Sequence, residues 1–341
     1  MRVADRSTAR NYLKYLNKAK NDFAQTNERI ASGKRFTMLS DDVGAGTRVL
    51  RARTDLTKTE THLENVQSVN EELSATESAM TAINDVLGMV YGQKAEAAMS
   101  EEKGEAGRLA IANEIKAMKE EILQFANTRY STRYVFGGSN ASQIAPFRLD
   151  EAGKLLYNGI KADDIRQRAD GSYCYDAAGV ETDLAMDEAV FLDIGLGIRM
   201  NGTETDPNTA FRVSYSGLEI LGFGKNAEGM SNNIFNVLTD MESSIRNFNL
   251  PELKKCHAQL GQLNDKFRAN LTDIGAKTNF LDTMETRLKG SVDSYKAKIS
   301  GLMGVNDAEE STNQAMNEYV LKAVIQMGAR ILPVSLMDFL R

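Results

Sequence analysis

Tryptophan is absent from this 341-residue chain, cysteine and histidine occur twice each, and proline occurs four times. Each scarcity removes a class of explanation. Cys174 and Cys256 cannot build a disulfide framework or a four-thiolate zinc site within one chain. His62 and His257 both fall within helical patterns, which leaves little for a nucleophilic triad or a zinc hydrolase. Cys256 and His257 are adjacent, so on a helix they point about 100° apart and do not grip one metal. A core cysteine beside an exposed histidine is expected there. No segment reaches the roughly 18 consecutive apolar residues of a membrane span. The opening "MRVADRSTARNYLKYL" has no apolar run that could serve as a cleavable secretory signal. Nor is there an excess of positive charge, since 41 Lys and Arg face 47 Asp and Glu for a net charge of -6. That balance argues against a nucleic-acid protein. Arg2, Arg6, Arg10, Lys14, Lys18 and Lys20 recur near the start, where a basic arm is the alternative to the more common solvated helix face. The expectation is a chain with no catalytic centre, cofactor or metal, and no nucleic acid or membrane among its partners.

What the chain does have is apolar residues spaced alternately three and four apart. Tyr12, Leu16, Ala19, Phe23, Thr26 and Ile30 lie on one stripe of a helix. Leu56, Leu63, Val66, Val69, Leu73, Met80, Ile83, Leu87 and Val90 form a second stripe, and Ile111, Ile115, Met118, Ile122 and Phe125 a third. The pattern returns at Ile234 and runs to Phe248 and Pro251. From Leu253 to Leu302 it continues for about seven heptads, more than a coiled coil requires. Gly301 and Gly304 end that run, and Pro333 is expected to stop a last helix beginning near residue 308.

Between residues 141 and 226 the period changes to two. Leu192, Ile194, Leu196, Ile198 and Met200 alternate with smaller or polar residues, as do Phe211, Val213 and Tyr215. Asn158-Gly159, Gly171-Ser172 and Asn201-Gly202 mark turns. The expected fold class is α+β: a long antiparallel helical bundle or coiled coil built from both chain ends, with an inserted β-rich outer domain. The expected division is 1–140 and 227–341 for the two halves of a helical assembly domain, and 141–226 for the outer domain.

The stretch "RIASGKRFTMLSDDVGAG", residues 29–46, separates two of the helical patterns. A Walker loop would need glycine and Ser or Thr where Glu28 and Arg35 stand, and no strand leads into it. A metal loop would need further oxygen ligands beyond Asp41 and Asp42. The remaining reading is structural: Gly33 as a left-handed C-cap, and Ser40, Asp41 or Asp42 as the N-cap of a helix starting near Val43. The apolar end formed by Ile331, Leu332, Val334, Leu336, Met337, Phe339 and Leu340 needs a cover, either the chain's own N-terminal helix or a neighbouring molecule.

Arg29, Ser32, Gly33, Lys34, Arg35, Ser40, Asp41 and Asp42 are similar to the N-terminal motif of the bacterial flagellin family. "DIGAKTNFLDTMETRL" (273–288) resembles the returning helix of that family, and "YVFGGSN" (134–140) and "ILPVSLMDFLR" (331–341) resemble its hook–filament junction members. Junction members commonly carry proline after the paired aspartates, where this chain has Val43. The resemblance implies an extracellular structural subunit of the flagellum, exported without a cleavable signal. It would polymerise through terminal helices and dock by Ile331, Leu332, Leu336, Phe339 and Leu340. The partners implied are further copies of itself in a ring, hook-associated protein 1, flagellin, the flagellar type III export apparatus and an export chaperone. A filament subunit is the nearest alternative. A coiled-coil signalling or adhesion protein is the alternative from another class.

Overall fold

Helices occupy most of the chain, as the long apolar stripes require. The computed structural model describes residues 2–100, 104–139, 144–169, 171–177, 179–184, 190–197, 199–201, 204–205, 210–213 and 215–337. In chain order the helices are α1 (Arg2–Ser32), α2 (Val43–Met89), α3 (Ala95–Met99), α4 (Glu105–Ala126), α5 (Gly217–Leu221), α6 (Ile234–Arg246), α7 (Leu250–Met303) and α8 (Asp307–Met337). A π-helical turn, Val90–Lys94, joins α2 to α3. Pro251 sits in the first turn of α7, where its missing N–H has no partner to lose. Pro333 does not stop α8, which continues through it to Met337. A proline removes one donor and crowds one carbonyl, and here the remaining ladder carries the helix on.

Contacts divide the chain into two compact units, Thr61–Leu288 and a second made of Met1–Glu60 with Lys289–Arg341. Both boundaries fall inside long helices, α2 and α7, rather than at the edges of the β-rich segment. In the larger unit one apolar core joins helix and strand residues: Leu73, Ile83, Leu87, Ile115, Phe235 and Phe267 are buried with Phe147, Leu155, Tyr157 and Ile165. The β segment does not form a separate body. Its strands are two to five residues long, and sheets that short cannot cover an apolar face of their own, so they lay it on the helices.

The sheets are small and antiparallel. Phe147–Leu149, Leu155–Tyr157 and Ile160–Lys161 (β3, β4, β5) form one, and Ile165–Gln167, Tyr173–Ala177 and Val180–Asp183 (β6, β7, β8) another. Arg129–Tyr130 and Arg133–Tyr134 (β1, β2) make a hairpin after α4. Asn158 and Gly159, both at positive φ, turn β4 into β5 as an Asn-Gly pair does in a tight hairpin. The alternation from Leu192 to Met200 does not make one strand. β9 is only Phe191–Leu192 and pairs with Phe211–Arg212 (β12), while Met200–Asn201 (β10) pairs with Glu204–Thr205 (β11). Gly195 and Gly197, at φ +88° and +77°, break the run. Ile194 is nevertheless buried, while Leu196 points to solvent.

A buried polar network fixes the approach to α6. The Asn233 side chain caps the helix by accepting from Asn236 N at 3.1 Å and donates to Gly222 O at 2.7 Å. Asn236 accepts from Leu155 N at 2.8 Å and donates to Asp163 at 2.8 Å. Gln259 on α7 reaches Ser231 O and Asn232 Oδ1. These bonds satisfy groups whose burial without partners would be costly. On the facing stretch of helix, His257 is half-buried rather than exposed. Its ring stacks on Tyr91 of the π turn at 4.3 Å, and its Nε2 lies 3.1 Å from the Tyr91 carbonyl oxygen. A π turn leaves backbone carbonyls displaced from the regular ladder, and the imidazole contacts one of them.

Candidate functional site

In the unit formed by residues 1–60 and 289–341, α1 and α8 pack side by side with opposite chain direction. The sequence explains the seam. A stripe of small and aromatic residues on α1 faces a broad apolar face on α8, and polar side chains between them fix the register. Asn317 donates to Thr26 Oγ1 at 2.8 Å, Gln314 to Asn27 Oδ1 at 2.6 Å, and Arg29 lies 3.4 Å from Glu310. Thr26 and Glu310 are buried by this packing. Near the other end Gly328 leaves room for the Tyr12 hydroxyl, which would lie 2.0 Å from a Cβ at that position.

Beside the seam lies an open groove of about 540 Å³, lined by Tyr12, Tyr15, Ala19, Met316, Val320, Val324 and Met327 with a few polar residues. Much of this surface is uncovered. Tyr15, Met316, Tyr319, Ile325 and Met327 are each more than half exposed. Large side chains of this kind are ordinary when scattered singly, as Ile325 is on the opposite side of α8, but Tyr15, Met316 and Met327 lie together along the groove with Val320, which is the pattern of a protein-binding face.

The loop after α1 is tied into the same unit. Gly33, at φ +65°, ends α1 in the left-handed conformation that the Ser-Gly pair suggests. The Lys34 backbone bridges to Gly304, Arg35 N donates to Met303 O at 2.7 Å, and Val305 N donates to Gly33 O at 3.2 Å. The α1–α2 loop is thereby laced to the α7–α8 turn. Phe36, Ala45 and Val49 complete the link by packing on Ile299, Leu302 and Met303. Asp42 is the N-cap of α2: its Oδ1 accepts from Ala45 N at 2.9 Å, and its Oδ2 accepts from Arg35 at 2.9 Å. Asp41 Oδ2 accepts from Met38 N at 3.1 Å. Carboxylates thus hold Met38 N and Ala45 N, and an anion approaching these amides would meet Asp41 and Asp42.

The structure therefore gathers Arg29, Ser32, Gly33, Lys34, Arg35, Asp41 and Asp42 around one joint. Ser40 is exposed beside it. Ser32 Oγ accepts from Lys34 N at 3.3 Å. The C-terminal set is only partly visible: Ile331, Leu332 and Leu336 lie on α8 with their side chains outside the described residues, and Phe339 and Leu340 lie wholly outside them. Sequence reasoning missed Asn27, Gln314, Asn317, Glu310 and Gly328. A polar residue interrupting an apolar stripe is their one local signal, and nothing local says which partner it meets. Among the described residues no three His, Cys, Asp or Glu side chains converge on a metal site, and no helix is long and apolar enough to cross a membrane.

Replacing Asp42 by alanine should remove both the cap and the Arg35 partner. The expected cost is about 1 kcal/mol, read by thermal unfolding, with asparagine recovering most of it because it keeps the cap.

Comparison with known proteins places these features. Residues 3–141 match the family described as the bacterial flagellin N-terminal helical region. No curated protein matches the sequence. A putative flagellar hook-associated protein from Vibrio parahaemolyticus has a similar structure, with a TM-score of 0.57 at 15% identity, over 77% of this chain and 100% of that one. Hook-associated protein-3 from Legionella pneumophila aligns with a TM-score of 0.49 at 16% identity, covering 74% of this chain and 98% of its own. FlgL from Bacillus cereus aligns at 0.45 and 18% identity, covering 73% and 97%.

Proposed function

We propose that this chain, whose residues 3–141 match the bacterial flagellin N-terminal helical region, is a structural subunit of the flagellum at the junction between hook and filament. The observation that carries the proposal is the uncovered apolar face of the α1–α8 pair. A helix pair exposing Tyr15, Met316 and Met327 along one groove lacks surface that a neighbouring subunit would supply. Burying such a face is the main driving force of association. The Vibrio neighbour supports the fold, and the flagellin-type helical region supports the setting outside the cell.

In this reading copies of the chain form a ring, with hook-associated protein 1 on the hook side and flagellin on the other. Delivery would be through the flagellar type III export apparatus, with an export chaperone covering the apolar end beforehand. The two cysteines are unpaired, which suits a subunit threaded unfolded through a narrow channel. The motif residues Arg29 to Asp42 act as the joint that holds the two ends of the chain in register. Ile331, Leu332, Leu336, Phe339 and Leu340 extend the docking surface.

The experiment is a truncation lacking residues 331–341, assayed for incorporation into flagella with gold-labelled antibody. Loss of incorporation with an unchanged unfolding transition for residues 61–288 is expected. Normal incorporation would overturn docking through the terminal helices. The full-length chain should label one band between hook and filament and should not elongate filament seeds. Label along the whole filament with seeded growth would make it a filament subunit.

A further inference from the structure

Of the fifteen methionines, those exposed by more than half among the described residues are Met38, Met316 and Met327, at 66%, 65% and 57%. All three belong to the unit formed by residues 1–60 and 289–341. Met80, Met241 and Met284 are buried in the core of the other unit. Met316 and Met327 both line the groove beside α1, three helical turns apart on one face of α8. A thioether is oxidised at a rate set largely by access, so the two classes should differ sharply in reactivity.

We propose that Met316 and Met327 form an oxidation-sensitive pair which, when converted to sulfoxides, prevents the groove from being covered by another subunit. The inference rests on reading this groove as an assembly face. The oxidant is a peroxide. The sulfur lone pair attacks one peroxide oxygen, an S–O bond forms, the O–O bond breaks, and after proton transfer water leaves. Sulfur is oxidised by two electrons and hydrogen peroxide is reduced to water.

The product changes what the groove can bury. A flexible apolar side chain becomes a polar one with a strong acceptor oxygen. The α8 side of the groove has little to offer in return, and the donors that line it, Asn11, Lys18 and the Tyr12 and Tyr15 hydroxyls, all stand on α1. The Asn317 amide is already donated to Thr26, and Val320 and Val324 carry no donor. A covering subunit would have to bury the sulfoxide oxygens, and any that does not reach one of those α1 donors costs far more buried than in water. Free subunits are thus sensitive, whereas incorporated subunits, with the sulfurs covered, are protected. A methionine sulfoxide reductase would reverse the block.

The test treats the full chain with hydrogen peroxide, follows each methionine by peptide mass spectrometry, and measures incorporation into flagella of cells lacking the endogenous subunit. Met316 and Met327 should oxidise at least tenfold faster than Met80, Met241 and Met284. Incorporation should fall at least tenfold, return after reductase treatment, and persist in peroxide-treated Met316→Leu/Met327→Leu protein. Equal loss in the double variant, no loss in the native chain, or no difference in oxidation rates would overturn the proposal. If the untreated chain failed to incorporate, the assembly reading itself would fall and the regulatory inference with it, whereas selective loss confined to treated protein separates the two.

Discussion

Gly222→Ala should lower the stability of the unit spanning residues 61–288 by about 3 kcal/mol, a fall in melting temperature of roughly 6–12 °C. Gly222 ends α5 at φ +83° and ψ 164°, a region open to glycine and essentially closed to other residues. A Cβ there would stand 2.0 Å from the Asn232 carbonyl oxygen, which is backbone and cannot rotate away. To relieve the clash the segment must move, and the bonds from Gly222 N to Leu218 O and from Asn233 to Gly222 O move with it. The cap of α6 is then lost as well. Gly33→Ala is the control: φ there is also positive, at +65°, but nothing lies within 4 Å of the added carbon. Only the left-handed penalty of about 1 kcal/mol applies. Equal losses for the two variants would show that the Asn232 contact gives way easily.

The second large effect is expected at Lys119. Its ammonium is almost wholly buried, 2.8 Å from Glu242 and 3.0 Å from Thr239 Oγ1, and it lies 5.4 Å from the centre of the Phe235 ring. Lys119→Ala removes a buried cation and leaves its anion behind, for an expected loss of about 3 kcal/mol by thermal or urea unfolding. Arg246, 3.0 Å from Glu242, keeps the loss at the low end of that class. Lys119→Met keeps the stem packed against Phe235 and should cost distinctly less. The same cluster sets a pH dependence. Burial alone would raise the Glu242 carboxyl, but hydrogen bonds and charge from Lys119 and Arg246 outweigh it and hold it below its ordinary 4.5. Because the folded value is the lower one, the stabilisation is fully present above pH 4.5 and is lost as pH falls through the folded value. Melting temperature should therefore decline below about pH 4.5 less steeply in Lys119→Met than in the native chain. Parallel declines would show that other carboxylates dominate.

How far the fold could be read beforehand depended on whether a residue's fate is decided locally. Helix stripes are local, and the runs around Leu73, Ile83 and Leu260 lie where their spacing puts them, buried in one core. The Asn158-Gly159 turn and the Gly33 cap are equally local, since backbone conformation at those positions decides the residue. Leu192 to Met200 misled because hydrophobic alternation was allowed to outweigh two glycines whose positive φ ends the strand. Pro333 misled in the opposite sense, as a breaker that a long helix tolerates. The β-rich segment at 141–226 shows the limit in a different way. Its apolar residues are the right ones, but Phe147, Tyr157 and Ile165 bury against helices far away in sequence. At the candidate site the loop from Gly33 to Asp42 was legible because capping chemistry acts over three or four residues. The seam partners Asn27, Gln314 and Asn317 were not, because a hydrogen bond spanning 287 or 291 positions leaves no mark at either end.

Those long spans also fix an order of events. Closing a contact between Asn27 and Gln314 requires the intervening chain to be collected first, and its entropic cost is met only when many such contacts form together. Residues 61–288 can complete their core from nearer neighbours and draw the two ends together as they do so. The α1–α8 seam is then expected to close last, so that weakening it should speed unfolding and leave the folding rate of residues 61–288 nearly unchanged.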